Sequence, residues 1–129
     1  MAAILIRDIL RFCPLRVSYS VSSGTYFRER GVSVIVRSDA PWIKNAGDYG
    51  SVEFQETMTF RTEFLMSVLH AGFHFVTADM DGLWLDDPLQ FMNDAADLQG
   101  QMHKVTKISG GLVIVRATTY GRYFWNMVI

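Results

Sequence analysis

The sequence has very little cysteine: Cys13 is the single one in 129 residues. A lone cysteine excludes an internal disulfide, and with it the class of small domains held together by disulfides. Because no histidine lies near Cys13 in a partner motif, we interpret it as a small hydrophobic residue and not as a nucleophile. Internal repeats, low-complexity tracts and Pro- or Gly-rich linkers are also absent, which argues against a repeat protein or a multidomain chain.

The sequence also has no large excess of charge of either sign. The sequence has 12 Lys and Arg against 13 Asp and Glu, a formal net charge of -1. There is no basic field for nucleic acid and no polybasic segment for a membrane surface. Residues 2–12 are apolar in short runs broken by Arg7, Asp8 and Arg11. A transmembrane helix needs roughly 20 apolar residues, so the sequence predicts no membrane anchor, and it shows no signal peptide.

What the sequence does have is enough apolar residues for one folded domain, because half of its residues are hydrophobic. Apolar periodicity predicts strands and helices in alternation, which favours an α/β layered domain with parallel neighbouring strands. Ser51 is predicted to cap a long helix that Gly72 ends. The predicted elements are a helix over 4–13, an exposed strand over 17–24, strands over 32–36, 73–78, 97–102 and 112–115, a helix over 51–71, and a last helix capped by Thr118 or Thr119.

The strand predicted over 73–78 ends in two carboxylates, Asp79 and Asp81. Ligands of α/β sheets bind outside the carboxyl ends of the strands, and oxygen ligands suit Mg²⁺ or Mn²⁺. Two enzyme classes use Asp-x-Asp at such a position: glycosyltransferases, which hold a cation there, and haloacid-dehalogenase-like phosphatases, which use the first Asp as nucleophile. A purely structural role as turn-forming residues is the third interpretation.

The residues around Asp-x-Asp resemble one family. Leu-His-Ala-Gly at 69–72, the apolar strand, Asp79, Asp81 and Trp-Leu-Asp-Asp-Pro-Leu at 84–89 are similar to the nucleotide-diphospho-sugar transferases that include plant arabinosyl- and xylosyltransferases. Weaker similarity extends from about Val32 to the end, which makes residues 32–129 the transferase domain and leaves residues 1–31 unassigned. The resemblance implies the glycosyltransferase A fold, with a Rossmann-like sheet, and a location in the Golgi.

The resemblance also implies site residues and ligands. Asp79 and Asp81 would hold Mn²⁺ or Mg²⁺, and Asp79 and Arg61 would contact a nucleotide sugar, in particular a UDP-sugar, whose acceptor is a glycan or glycoprotein. Gly110 and Gly111 would let the backbone approach the sugar closely. From the residues alone, Arg61 is equally a snorkelling side chain at the helix edge, and the two glycines are equally a tight turn before a strand.

Two alternatives stay open at this point. Asp79-Met80-Asp81-Gly82 matches the opening of the phosphatase motif, although Leu83 stands where that pattern has Thr. The other alternative is an inactive fragment of a glycosyltransferase, because such enzymes often complete the cation shell with a residue near the end of the domain. The helical pattern over 120–129 has no stop signal, so we expect an incomplete domain with apolar surface exposed at Phe124, Trp125, Val128 and Ile129.

Overall fold

The computed structural model describes residues 2–8, 11–18, 21–36, 48–79, 85–86, 90, 92–104 and 107–128. Within these ranges, six strands form one mixed sheet in the order β3-β2-β1-β4-β6-β5. The strands are β1 (Ala2–Asp8), β2 (Arg11–Ser18), β3 (Ser33–Val36), β4 (His74–Asp79), β5 (Leu98–Lys104) and β6 (Lys107–Val115). The helices are α1 (Val21–Arg28), α2 (Val52–His70) and α3 (Thr119–Asn126). The fold is therefore mixed α/β.

The strands around β4 are antiparallel, so the prediction of parallel neighbours is wrong for the centre of the sheet. β4 pairs antiparallel with β1 on one side and with β6 on the other. β6 pairs antiparallel with β5, and Lys104 lies opposite Lys107, with two residues between them in sequence. Such a short connection permits only antiparallel pairing, because parallel strands need a long crossover. β2 and β3 are parallel, and α1 lies between them in sequence as that crossover.

Helix α2 begins and ends where local sequence signals place it. Ser51 is the N-cap, and its Oγ accepts a hydrogen bond from the Phe54 N–H at 3.1 Å. Gly72 follows the C-terminus with φ of 89°, a left-handed conformation that glycine adopts without steric cost. The buried residues of α2 lie in its second half, at Leu65, Met66, Val68 and Leu69. That half of the helix therefore packs against the sheet.

Three predictions at short segments are wrong. The described residues of the helix predicted over 4–13 lie instead in the paired strands β1 and β2, and α1 replaces the second half of the strand predicted over 17–24. Gly110 and Gly111 lie inside β6 and not in a turn before it. In all three places the local pattern is ambiguous, and contacts with distant segments decide the backbone conformation.

The core lies between α2, α3 and one face of β4 and β6. Phe75, Val113, Val115 and Trp125 belong to it, together with the buried residues of α2. Trp125 is 8% exposed, packs edge-to-face on Phe75 with ring centroids 5.0 Å apart, and donates its Nε1–H to the Thr62 carbonyl at 3.1 Å.

The predicted exposure of Trp125 is therefore wrong, because α3 turns this side chain onto the sheet. Phe124 is half-buried and packs against the core, whereas Val128 is exposed, as predicted. Ile129 lies outside the described residues. None of the helices in the described ranges is long and apolar enough to cross a membrane.

Candidate functional site

Asp79 is the last residue of β4, a central strand of the sheet. Alternation along the strand places Phe75, Thr77 and Asp79 on the face that α2 covers. Phe75 and Thr77 are buried, at 0% and 1% exposure, whereas the Asp79 side chain is 48% exposed. The strand therefore carries a carboxylate from the core to the surface at its carboxyl end.

Arg61 reaches from α2 to the same end of β4. Its Nη2 donates a hydrogen bond of 2.6 Å to Thr77 Oγ1, and its Nη1 lies 3.5 Å from Asp79 Oδ1. The Arg61 side chain is only 16% exposed. The snorkelling interpretation is therefore wrong, because the guanidinium points inward to β4 and forms an ion pair with Asp79.

Gly111 lies beside Asp79 on the neighbouring strand. Thr77 pairs with Val113 and Ala78 with Leu112, so the next position in the same register brings Gly111 opposite Asp79. A Cβ on Gly111 would be 3.5 Å from Asp79 Oδ2 and 3.2 Å from Ser109 Oγ, which already accepts a hydrogen bond from the Gly111 N–H. The absence of a side chain at Gly111 therefore leaves space on the Oδ2 side of the carboxylate.

The structure does not place the other predicted site residues, Gly110 and Asp81, beside Asp79. A Cβ on Gly110 would have no neighbour within 4 Å, so that glycine faces open space. Asp81, the second predicted metal ligand, lies outside the described residues. Within the ranges that the structure describes, no three His, Cys, Asp or Glu side chains cluster as a metal site. The metal and donor roles of these residues stay predictions.

The three histidines lie at the other end of β4 or at exposed positions. His74 begins β4, at the opposite end from Asp79, where its Nδ1 accepts a hydrogen bond from the Ala117 N–H at 2.9 Å. His70 and His103 are exposed. His74 thus has a structural contact and His70 is exposed, as interpreted from the sequence.

Sequence comparison assigns the family. A model of the nucleotide-diphospho-sugar transferase family matches residues 22–128, most of the chain. The chain belongs to this family. A protein of Arabidopsis thaliana described as uncharacterized is 32% identical over 63 residues, which are 49% of this chain and 19% of the relative. The chain thus matches less than a fifth of that relative's length. No solved structure gives a significant match.

Membership of the transferase family does not favour the phosphatase or the inactive-fragment interpretation. The sequence predicts Asp79, Arg61 and Gly111 as site residues, and the fold brings them together; Thr77, which contacts Arg61, was not among the predicted residues. The signal for Thr77 was present in the alternation of β4, since a residue two positions before Asp79 shares its face. It was missed because a hydroxyl inside an apolar strand is ordinarily interpreted as part of the core.

Proposed function

We propose that this domain binds a nucleotide-diphosphate sugar and a divalent cation at the carboxyl end of β4, as part of a glycosyl transfer reaction. The observation that carries the proposal is the half-exposed Asp79 carboxylate, which is paired with Arg61 and bordered by Gly111. The family match supports a nucleotide-sugar donor. The finer assignments are a Rossmann-like glycosyltransferase A fold, UDP as the nucleotide, a glycan or glycoprotein acceptor and the Golgi as location, and they rest on the family resemblance.

The chemistry of the residues suits a hard cation. Asp79 offers a carboxylate with one oxygen, Oδ2, on the side of Gly111, which has no side chain. Carboxylate oxygens are the ligands that Mg²⁺ and Mn²⁺ prefer, so Asp79, with Asp81 two residues later, would hold such an ion. When bound, the cation would neutralise charge on the diphosphate leaving group.

Arg61 has a second role in this proposal. Its guanidinium is mostly buried and is held by two groups of β4, so it is a fixed positive charge beside Asp79. A fixed cation costs little reorganisation when an anionic ligand arrives. Arg61 would therefore orient the Asp79 carboxylate and add positive potential near the diphosphate.

Calorimetry with UDP in the presence of Mn²⁺ tests the proposal. We expect the chain to bind UDP with Mn²⁺, and binding to fall at least about tenfold in Asp79→Asn and in Asp81→Ala, because each substitution removes a charged ligand. Chelation of the metal should abolish the difference between these variants and the unmodified chain.

Asp94→Asn is the matched control. Asp94 is an exposed carboxylate that pairs with Arg116 at 3.6 Å, near the opposite end of β4 from Asp79. This variant should bind UDP as the unmodified chain does. If Asp79→Asn and Asp94→Asn bound UDP with equal affinity, or if UDP affinity were unchanged by the chelator, Asp79 would not be a ligand of the cation.

A further inference from the structure

Thr77 is buried in β4 and contacts the predicted site through the Arg61 side chain. Its exposure is 1%, and its Oγ1 accepts the Arg61 Nη2–H at 2.6 Å. A valine would fill the same volume, so packing alone does not require a hydroxyl at this position. The hydroxyl gives the guanidinium a neutral acceptor inside the protein, two residues before the carboxylate with which it pairs.

The two contacts of Arg61 differ in strength. The separation of Nη1 from Asp79 Oδ1 is 3.5 Å, long for a hydrogen bond, and the Asp79 side chain is half-exposed. This ion pair, with a half-exposed carboxylate, therefore contributes less to fixing the guanidinium than a short hydrogen bond does, although it still sets which oxygen of Asp79 faces Arg61. The bond to Thr77 is short, is made to a buried hydroxyl by a charged donor, and belongs to the stronger class of hydrogen bond. The position of the guanidinium is therefore set mainly by Thr77.

We propose that Thr77 is a positioning residue of the donor site, an inference that rests on the proposed function. By fixing Arg61, the Thr77 hydroxyl holds the Asp79 Oδ1 atom on the α2 side of β4. The other oxygen, Oδ2, is thereby directed to the side of β6, where a Cβ on Gly111 would lie 3.5 Å from it. Thr77, acting through Arg61, thus determines which oxygen of the Asp79 carboxylate faces the cation and the nucleotide diphosphate.

The test measures UDP binding with Mn²⁺ by calorimetry in five proteins: the unmodified chain, Thr77→Val, Thr77→Ser, Arg61→Met and the double variant Arg61→Met/Thr77→Val. Thr77→Val keeps the side-chain shape and removes the acceptor, so we expect affinity to fall about tenfold, the effect of losing a hydrogen bond to a charged group. Thr77→Ser keeps the hydroxyl and should restore affinity to within about twofold. In the Arg61→Met background, Thr77→Val should have no further effect, because the partner is absent.

Each other outcome overturns the inference. Thr77→Val that binds as tightly as the unmodified chain excludes a positioning role. An equal loss from Thr77→Val with and without Arg61, or an equal loss in Thr77→Ser, indicates a structural role of the threonine instead. Thermal melts of all five proteins show whether each variant is folded. If the unmodified chain itself does not bind UDP with Mn²⁺, the proposed function fails, and the inference fails with it.

Discussion

Asp79 on β4 and Gly111 on β6 lie opposite each other. Because Gly111 has no side chain, the space beside the Asp79 carboxylate stays open. The register brings the two residues together, and a Cβ on Gly111 would stand 3.5 Å from Asp79 Oδ2. Gly110, the preceding residue in the chain, lies on the other face of the sheet, where an added Cβ would meet nothing within 4 Å. The adjacent glycines therefore have different expected roles, although the sequence presents them as an equivalent pair.

Gly111→Ala should weaken UDP binding with Mn²⁺ about tenfold, which is about 1.4 kcal/mol. The new methyl group would occupy the Oδ2 side of Asp79 and press on Ser109 Oγ, 3.2 Å away. Gly110→Ala is the control and should leave the affinity unchanged. Calorimetry on both variants checks this expectation. Equal affinities for the two variants would show that the space beside Asp79 is not used by the ligand.

At the scale of elements, α3 is tied to the rest of the fold by its N-cap. Thr118 Oγ1 accepts a hydrogen bond from the Gly121 N–H at 3.0 Å and donates one of 2.6 Å to Asp97 Oδ1. Asp97 directly precedes β5, and its carbonyl accepts the Arg116 N–H at 2.9 Å. One hydroxyl therefore caps the helix and joins it to the edge of the sheet, at the end opposite to Asp79.

Thr118→Ala should lower the free energy of unfolding by about 2 kcal/mol, since it removes both a cap and a hydrogen bond to a carboxylate. Thr119→Ala, one residue later at an exposed position, should change it by less than about 0.5 kcal/mol. Urea denaturation of the two variants measures the difference. If Thr119→Ala were as destabilising as Thr118→Ala, the cap would be assigned to the wrong residue.

Some elements could be predicted from the sequence because their signals are local. Ser51 and Gly72 bound α2, Thr118 was one of two residues predicted to cap α3, and the apolar run before Asp79 marks β4. The paired strands β1 and β2 and the extent of β6 could not be predicted, because their conformation depends on pairing between distant segments. The Arg61–Thr77 contact spans sixteen residues and depends on how α2 packs on β4, which no local pattern specifies.

At the scale of the whole molecule, α3 completes the core on the face of the sheet that carries Asp79. Trp125 lies on Phe75, two residues before Thr77, and its indole N–H bonds the Thr62 carbonyl next to Arg61. The packing that stabilises the domain is therefore continuous with the residues that hold Asp79. Loss of this packing should affect global stability and the site together.

Trp125→Ala should lower the free energy of unfolding by about 3–5 kcal/mol, the usual effect of removing a buried aromatic side chain. Tyr123→Ala, on the exposed side of the same helix at 65% exposure, should be nearly neutral. Urea denaturation with tryptophan-independent detection, such as far-UV circular dichroism, compares the two. Similar stability of both variants would mean that α3 does not dock on the sheet in solution.

The central claim, that a divalent cation binds at Asp79, is tested most directly by nuclear magnetic resonance with Mn²⁺, whose unpaired electrons broaden nearby amide signals. We predict that substoichiometric Mn²⁺ with UDP broadens the signals of Thr77, Asp79 and Gly111 first. Signals of Asp97 and Ala117 should persist, because the opposite end of β4 is about 16 Å away. Diamagnetic Mg²⁺ should broaden neither group, and Asp79→Asn should remove the selectivity. Equal broadening at both ends of β4, or selective broadening that survives in Asp79→Asn, would contradict the cation site.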